Sequence, residues 1–395
     1  MMKKTLAALA VLGAFAGSAA AADVTLYGKV DLGLNYQNTK TDSDFGRDVD
    51  STGTFSMKSG QNSGSRWGLK GVEDLGNGTK VGFVLENGFS ADDCTMGQGG
   101  RLFGREAQLY VQGSFGKVAF GRMGSLTSAC GTYNLINFTP FSSGWSDSAS
   151  KTNFWISDRD RMDNTLTYQT PTFAGFQVTA QYSFKVAGQE AAGNESQNKR
   201  YVGLGATYKT GALSTGLIVD SILNETAKDN NTEDSLGVTF GATYDFGFVK
   251  PYFMAQYGQN ENKLGGFDIT HFNKSVVNGT PISVVDQANE GWKGYGLNLG
   301  ATAPLLGGTV LAQVSYLDSE TEQDVTYNAT AKAELDARNY GVAVGYTYNL
   351  SKRTMVYTYA SYNELELKAK DKAGAGSFEE TKKLAEFGLG MVHSF

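Results

Sequence analysis

Lys29, Arg66, Arg159 and Arg161 each sit on the polar side of an alternating segment. Lys29 shares its side with Thr25, Tyr27, Asp31 and Asn35, against Val24, Leu26, Val30, Leu32, Leu34 and Tyr36. Arg66 opposes Trp67 and Leu69, and Arg159 and Arg161 oppose Met162, Leu166 and Tyr168. A guanidinium turned toward hydrocarbon near its midplane costs ~2–4 kcal/mol, so these charges belong on a wet inner wall. There the chemistry open to them is electrostatic: a basic rail that selects ions and orients passing dipoles. For any one of them, an ordinary water-exposed charge is an equally good reading. Covalent chemistry has little support. The only histidines, His271 and His393, have no Ser or Asp partner at triad spacing. No metal-ligand spacing and no cofactor motif is present: the glycine clusters Gly203-x-Gly205 and Gly294-x-Gly296-x-x-x-Gly300 lie inside strands with no helix following.

The long segment Gly124–Arg159 carries Phe138, Pro140, Phe141, Trp145 and Phe154, more apolar mass than a solvated loop needs. Folded back against an inner wall, it would narrow an opening and bring Asp147, Asp158 and Asp160 opposite the arginines, creating a transverse field. Packing of the same aromatics on neighbouring loops is the competing reading. Cys94 and Cys130 lie in two such connections. Spacing leaves a disulfide and two free thiols equally open.

The elements that must position these groups are strands. Phe176, Val178, Ala180, Tyr182 and Phe184 alternate with Gln177, Thr179, Gln181, Ser183 and Lys185, and 236–244 and 340–348 repeat the scheme. Seven short turns, near Asn77, Ser114, Thr172, Gly211, Gly247, Leu306 and Ser351, separate eight long polar connections: 38–62, 91–102, 124–159, 186–199, 221–233, 258–291, 318–337 and 365–383. That arithmetic requires sixteen antiparallel strands, and an even count with alternately short and long connections describes a transmembrane β-barrel. At this size a barrel encloses water instead of a packed core. Segments 209–220 and 293–301 are the weakest strands.

Residues 1–22 read as a cleaved signal peptide, with Lys3 and Lys4, an apolar stretch from Leu6 to Phe15 and small residues from Ser18 to Ala22. Residues 23–395 then form one barrel domain. Without Lys3 and Lys4 the chain holds 32 basic and 40 acidic side chains, a net of −8, which disfavours nucleic acid as a partner. Fifty glycines, 43 Tyr plus Phe and five prolines suit strands and tight turns. The last strand alternates Phe387, Leu389 and Met391 with small residues and ends on Phe395. A closed barrel accommodates such an end, because the last strand pairs with the first.

Several stretches resemble the Gram-negative general porins, most closely the betaproteobacterial and neisserial type. They are Val24-Thr25-Leu26-Tyr27-Gly28-Lys29-Val30-Asp31, Ser65 through Gly78, Phe115 through Arg122, Arg161 through Tyr168 with Pro171 and Gly175-Phe176, and the closing Phe395. The resemblance implies an outer-membrane homotrimer of sixteen-stranded pores, each narrowed by an inward-folded third loop and set among outer-membrane lipids and lipopolysaccharide. It implies passive diffusion of small hydrophilic solutes. It places Lys29, Arg66, Arg122 and Arg161 in a basic cluster, and it makes Phe395 the signal presented to the barrel-assembly machinery. Arg122 shares a side with Val118 and Phe120, so a strand end or bulge must re-aim it. The acidic run that enteric porins carry in the third loop appears here only as Pro140-Phe141-Ser142-Ser143-Gly144-Trp145-Ser146-Asp147. A pore selective for anions or organic acids, and a surface adhesin or receptor acting through the long loops, are the alternative functions.

Overall fold

The computed structural model describes residues 24–44, 49–128, 130–141, 145, 154–157, 159–190, 198–224, 233–261, 263–264, 267–268, 275–277, 280–282, 284–286, 291–321, 325–327, 331–371 and 377–395. Residues 1–22, Asp147 and Asp158 lie outside this set.

The wall is a closed, all-antiparallel barrel of sixteen strand positions. Its segments are β1 (Thr25–Ser43), β2 (Val49–Ser59), β3 (Arg66–Gly76), β4 (Thr79–Gly88), β5 (Glu106–Gly113) and β6 (Gly116–Gly124). Then come β7 (Arg161–Gln169), β8 (Phe176–Ser183), β9 (Arg200–Thr210), β10 (Leu213–Leu223), β11 (Leu236–Tyr244) and β12 (Lys250–Glu261). β13 (Trp292–Leu305), β14 (Gly308–Thr321), β15 (Ala331–Asn349), β16 (Thr354–Asp371) and β17 (Ser377–Ser394) complete the circuit. β2 and β3 share one position: both pair with β1, β2 along Leu32–Thr41 and β3 along Thr25–Lys29. Closure is the β1–β17 ladder, from Lys29 opposite Ser394 to Ser43 opposite Glu380. Phe395 extends it, exchanging backbone hydrogen bonds with Gly28 at 3.0 and 3.1 Å. The absent side chain of Gly28 leaves the space that the Phe395 ring fills.

Polarity is inverted relative to a water-soluble domain. Phe387, Leu389 and Met391 are exposed, whereas Asp31, Asn35, Gln181, Gln256, Asn298 and Glu386 are buried. Parity accounts for both sets, since the first alternates outward and the second inward. Gly388 and Gly390 sit between the outward residues of β17 because the Tyr359 and Tyr357 rings from β16 lie across them. The first short turn, Gly76-Asn77-Gly78, has φ of +83°, +52° and +76°, a left-handed run suited to an Asn-Gly hairpin.

Both weak strands are present, as β10 and β13. The outer connections are shorter than the alternation predicts, because β1, β15, β16 and β17 run 18 or 19 residues. Most of 318–337 and 365–383 is therefore strand. Above the apolar band the period continues with its sense reversed: Leu335, Ala337, Leu365, Leu367 and Ala369 are buried inward, while Glu and Lys alternate with them on the outer side. Cross-strand charge pairs line the outer side there, including Lys368 with Glu379 at 2.7 Å and Lys370 with Asp336 at 2.5 Å.

Candidate functional site

Register brings the basic residues of the first strands together. Lys29 on β1 is opposite Arg66 on β3, and both lie on the inward face with Asp31. Between β2 and β3 the chain leaves the wall, and Asp31 holds this break by accepting the backbone N–H groups of Asn62 and Ser63, each at 2.7 Å. Tyr357 from across the closing seam donates to the other carboxylate oxygen at 2.7 Å. The break presents the Ser63 hydroxyl to the Lys29 ammonium at 3.4 Å and to the Arg66 guanidinium at 3.3 Å. Sequence reasoning missed Arg105, which joins them: its Nε donates to Glu86 at 2.6 Å, while Arg66 Nε is 3.8 Å from the other Glu86 oxygen. Arg105 stands at the root of a connection without alternation, so only pairing of β4 with β5 reveals its place.

Described residues between 125 and 157 pack against strand residues of β9 through β16. Leu135 covers Gly205, Phe138 covers Gly216 and Gly241, Pro140 covers Gly300, and Phe141 covers Gly345. Trp145 packs edge-on against Tyr357 and Tyr359, at centroid separations of 5.6 and 5.8 Å. The chain then returns past Gly296 with Phe154, Gly258 with Ile156 and Gly237 with Ser157. All of these aromatics are buried. The strand glycines thus form the bed on which the segment rests, since any Cβ at Gly216 or Gly241 would collide with Phe138.

Arg159 ends the return run in a buried ion cluster. Its guanidinium makes two hydrogen bonds to Glu261, at 2.5 and 2.8 Å, donates to Ser235 at 2.9 Å and lies 3.5 Å from Asp220. The same Asp220 accepts from Thr127 at 2.6 Å, so both ends of the segment are fastened to β10. With only 4% of its side chain exposed, Arg159 is an anchor and does not face open water.

Arg161 does meet the segment, donating to the Cys130 thiol at 2.7 Å, and it lies 3.3 Å from Asp160, whose side chain is largely exposed. Arg122 goes elsewhere. The β6–β7 ladder shifts register between Gly121 and Met123, with Gly121 at φ +129°, so the bulge needed to re-aim Arg122 is present. It delivers the guanidinium to Asp163 at 2.7 Å and to the Gly104 carbonyl at 2.8 Å, and Arg101 shares Asp163 at 2.8 Å. Arg122 therefore groups with Arg101 and Asp163, apart from Lys29 and Arg66.

Cys94 and Cys130 are both free thiols, which decides against the disulfide. Maleimide should label both without reductant, and reductant should leave gel mobility unchanged; a reductant-dependent shift would contradict the structure.

A closed barrel with an apolar exterior, polar interior and charged inner wall defines a membrane channel. The chain belongs to the Gram-negative porin family, whose model matches residues 7–369. An outer membrane porin protein of Bordetella pertussis is 32% identical over 429 residues, covering 100% of both chains. Among solved structures, the anion-selective porin from Comamonas acidovorans matches with a TM-score of 0.63 and 25% identity, over 95% of this chain and 100% of that one. OmpT of Vibrio cholerae in its trimer form shares the fold, with a TM-score of 0.53 and 16% identity over 95% of this chain and 100% of that one. The protein is an outer-membrane porin, a diffusion channel of a Gram-negative outer membrane, and its family is one of channels.

Proposed function

We propose that this porin passes small hydrophilic solutes with a preference for anions, and that the wall formed by Lys29, Arg66, Arg105 and Arg161 sets the preference. The observation that carries this reading is the unequal presentation of charge on that wall. Asp31 is spent on three hydrogen bonds, and Glu106 on the backbone and hydroxyl of Thr132 at 2.8 and 2.9 Å. Asp31 and Glu106 are thus turned into the wall, while Lys29 stays partly exposed and the Arg66 side chain keeps 23% of its surface in the open, against 13% for Glu86. Segment 124–159 acts as the inward-folded third loop, a reading supported by its contacts from Gly205 to Tyr359. Its acids Asp147 and Asp158 are assigned to the opposite side of the opening, whereas Asp160 lies 3.3 Å from Arg161 on the basic side. Arg122 and Arg159 take structural roles instead.

The assembly is a homotrimer in outer-membrane lipid and lipopolysaccharide, exported by residues 1–22 and presented to the barrel-assembly machinery through Phe395. The name of the Comamonas acidovorans relative supports the anion preference. In liposomes, succinate should enter faster than a neutral sugar of similar size. Equal rates would remove the preference.

A further inference from the structure

Below the charged wall, at the short-turn end of the barrel, the inner surface has a recess of about 270 Å³. Five of its lining residues carry amine or amide heads, Lys80, Gln112, Lys117, Gln169 and Gln177, and Thr170 adds a hydroxyl. The ladders place four of them in one rung, Lys80 opposite Gln112, Gln112 opposite Lys117, and Lys117 opposite Gln169. The glycines Gly78, Gly113 and Gly116 beside the rung leave room in front of these heads.

The chemistry of this rung is one-sided. It offers two ammonium groups and three amides, and no carboxylate lines the recess. Beside it, the exposed carboxylate of Asp74 is 4.0 Å from Lys80. The Lys117 ammonium rests over the Tyr110 ring at 3.9 Å and lies 5.2 Å from the ring of Tyr133 in the third loop. Such seating holds a cation in place without neutralising it. Gln169 donates to Thr179 at 3.2 Å and Gln177 to the Thr170 carbonyl at 3.1 Å, so each amide keeps one N–H for a ligand.

We infer that this recess is a second anion station, binding a small dissolved oxyanion of the phosphate class between the constriction and the short-turn mouth. Conduction favours sites that attract an ion and release it to the next, and two basic stations along one wall satisfy that requirement. The inference rests on the anion-path reading above.

The test is current block by inorganic phosphate added to either side of a planar bilayer carrying chloride current, for the wild type and Lys80→Gln/Lys117→Gln. Channel insertion itself reports that the variant has folded. In the wild type, phosphate on one side should block; in the variant, half-block should need about fivefold more phosphate or higher, as expected for loss of two water-exposed charge contacts. Equal block in both, or no block of the wild type, overturns the station. A wild type that is blocked but prefers cations would sink the selectivity reading and leave the station standing.

Discussion

Replacing Arg66 and Arg105 together by Ser is expected to move the zero-current potential in a KCl gradient toward cations. The anion-to-cation permeability ratio should fall by about one order of magnitude. A unit charge ~4 Å from a passing ion is worth about 1 kcal/mol at the dielectric of water, and salt screening trims this. Two such charges then contribute roughly the 1.4 kcal/mol that a tenfold change requires. Glu86 enlarges the effect. It faces both guanidiniums, at 3.8 and 2.6 Å, and among the described residues the contact left to its carboxylate in the variant is the Tyr27 hydroxyl at 3.0 Å. The double change therefore uncovers a negative group as well as removing two positive ones. Arg122→Ser is the informative contrast, since its partners are Asp163 and Gly104. An unchanged potential in the double variant would show that these residues do not control permeation.

The second large effect is expected from Arg159→Met. Asp220 and Glu261 are both buried, and Arg159 is the cation they share. Stranding buried carboxylates by removing their partner costs about 3–5 kcal/mol. The temperature at which circular dichroism loses the β-sheet signal should fall, and single-channel current should become noisier as the loop root loosens. Removing Glu261 as well, in Arg159→Met/Glu261→Met, should recover part of the loss, because one stranded charge disappears. A melting temperature matching wild type in Arg159→Met would show that the cluster does not hold the loop.

The wall was legible in the sequence because lipid on one side and water on the other impose a strict two-residue period. Both weakest segments, 209–220 and 293–301, kept enough of it to be recognised. Where lipid stops, the signal reverses: the upper parts of β15 and β16 alternate outward Glu and Lys with buried Leu and Ala, so a polar composition hides strands that pair. The charged site was less legible for a related reason. Lys29 and Arg66 lie within alternating segments, so parity placed them on the inward face. Arg105 follows Leu102-Phe103-Gly104, where no period exists, and its meeting with Glu86 depends on two strands pairing. Arg159 had the right parity for the inner wall, but parity carries no information on what packs above it. Only its buried pairing with Glu261 and Asp220 shows that it is covered. The strand glycines were read as inward or packed positions; the aromatics they receive come from residues far away in the chain.

The zero-current potential of the wild-type channel in a KCl gradient tests the central claim most directly. A potential of the sign set by chloride movement is predicted, because Lys29 and Arg66 are the more open charges of this wall while Asp31 and Glu106 are turned into it. A potential of the sign set by potassium would contradict the account.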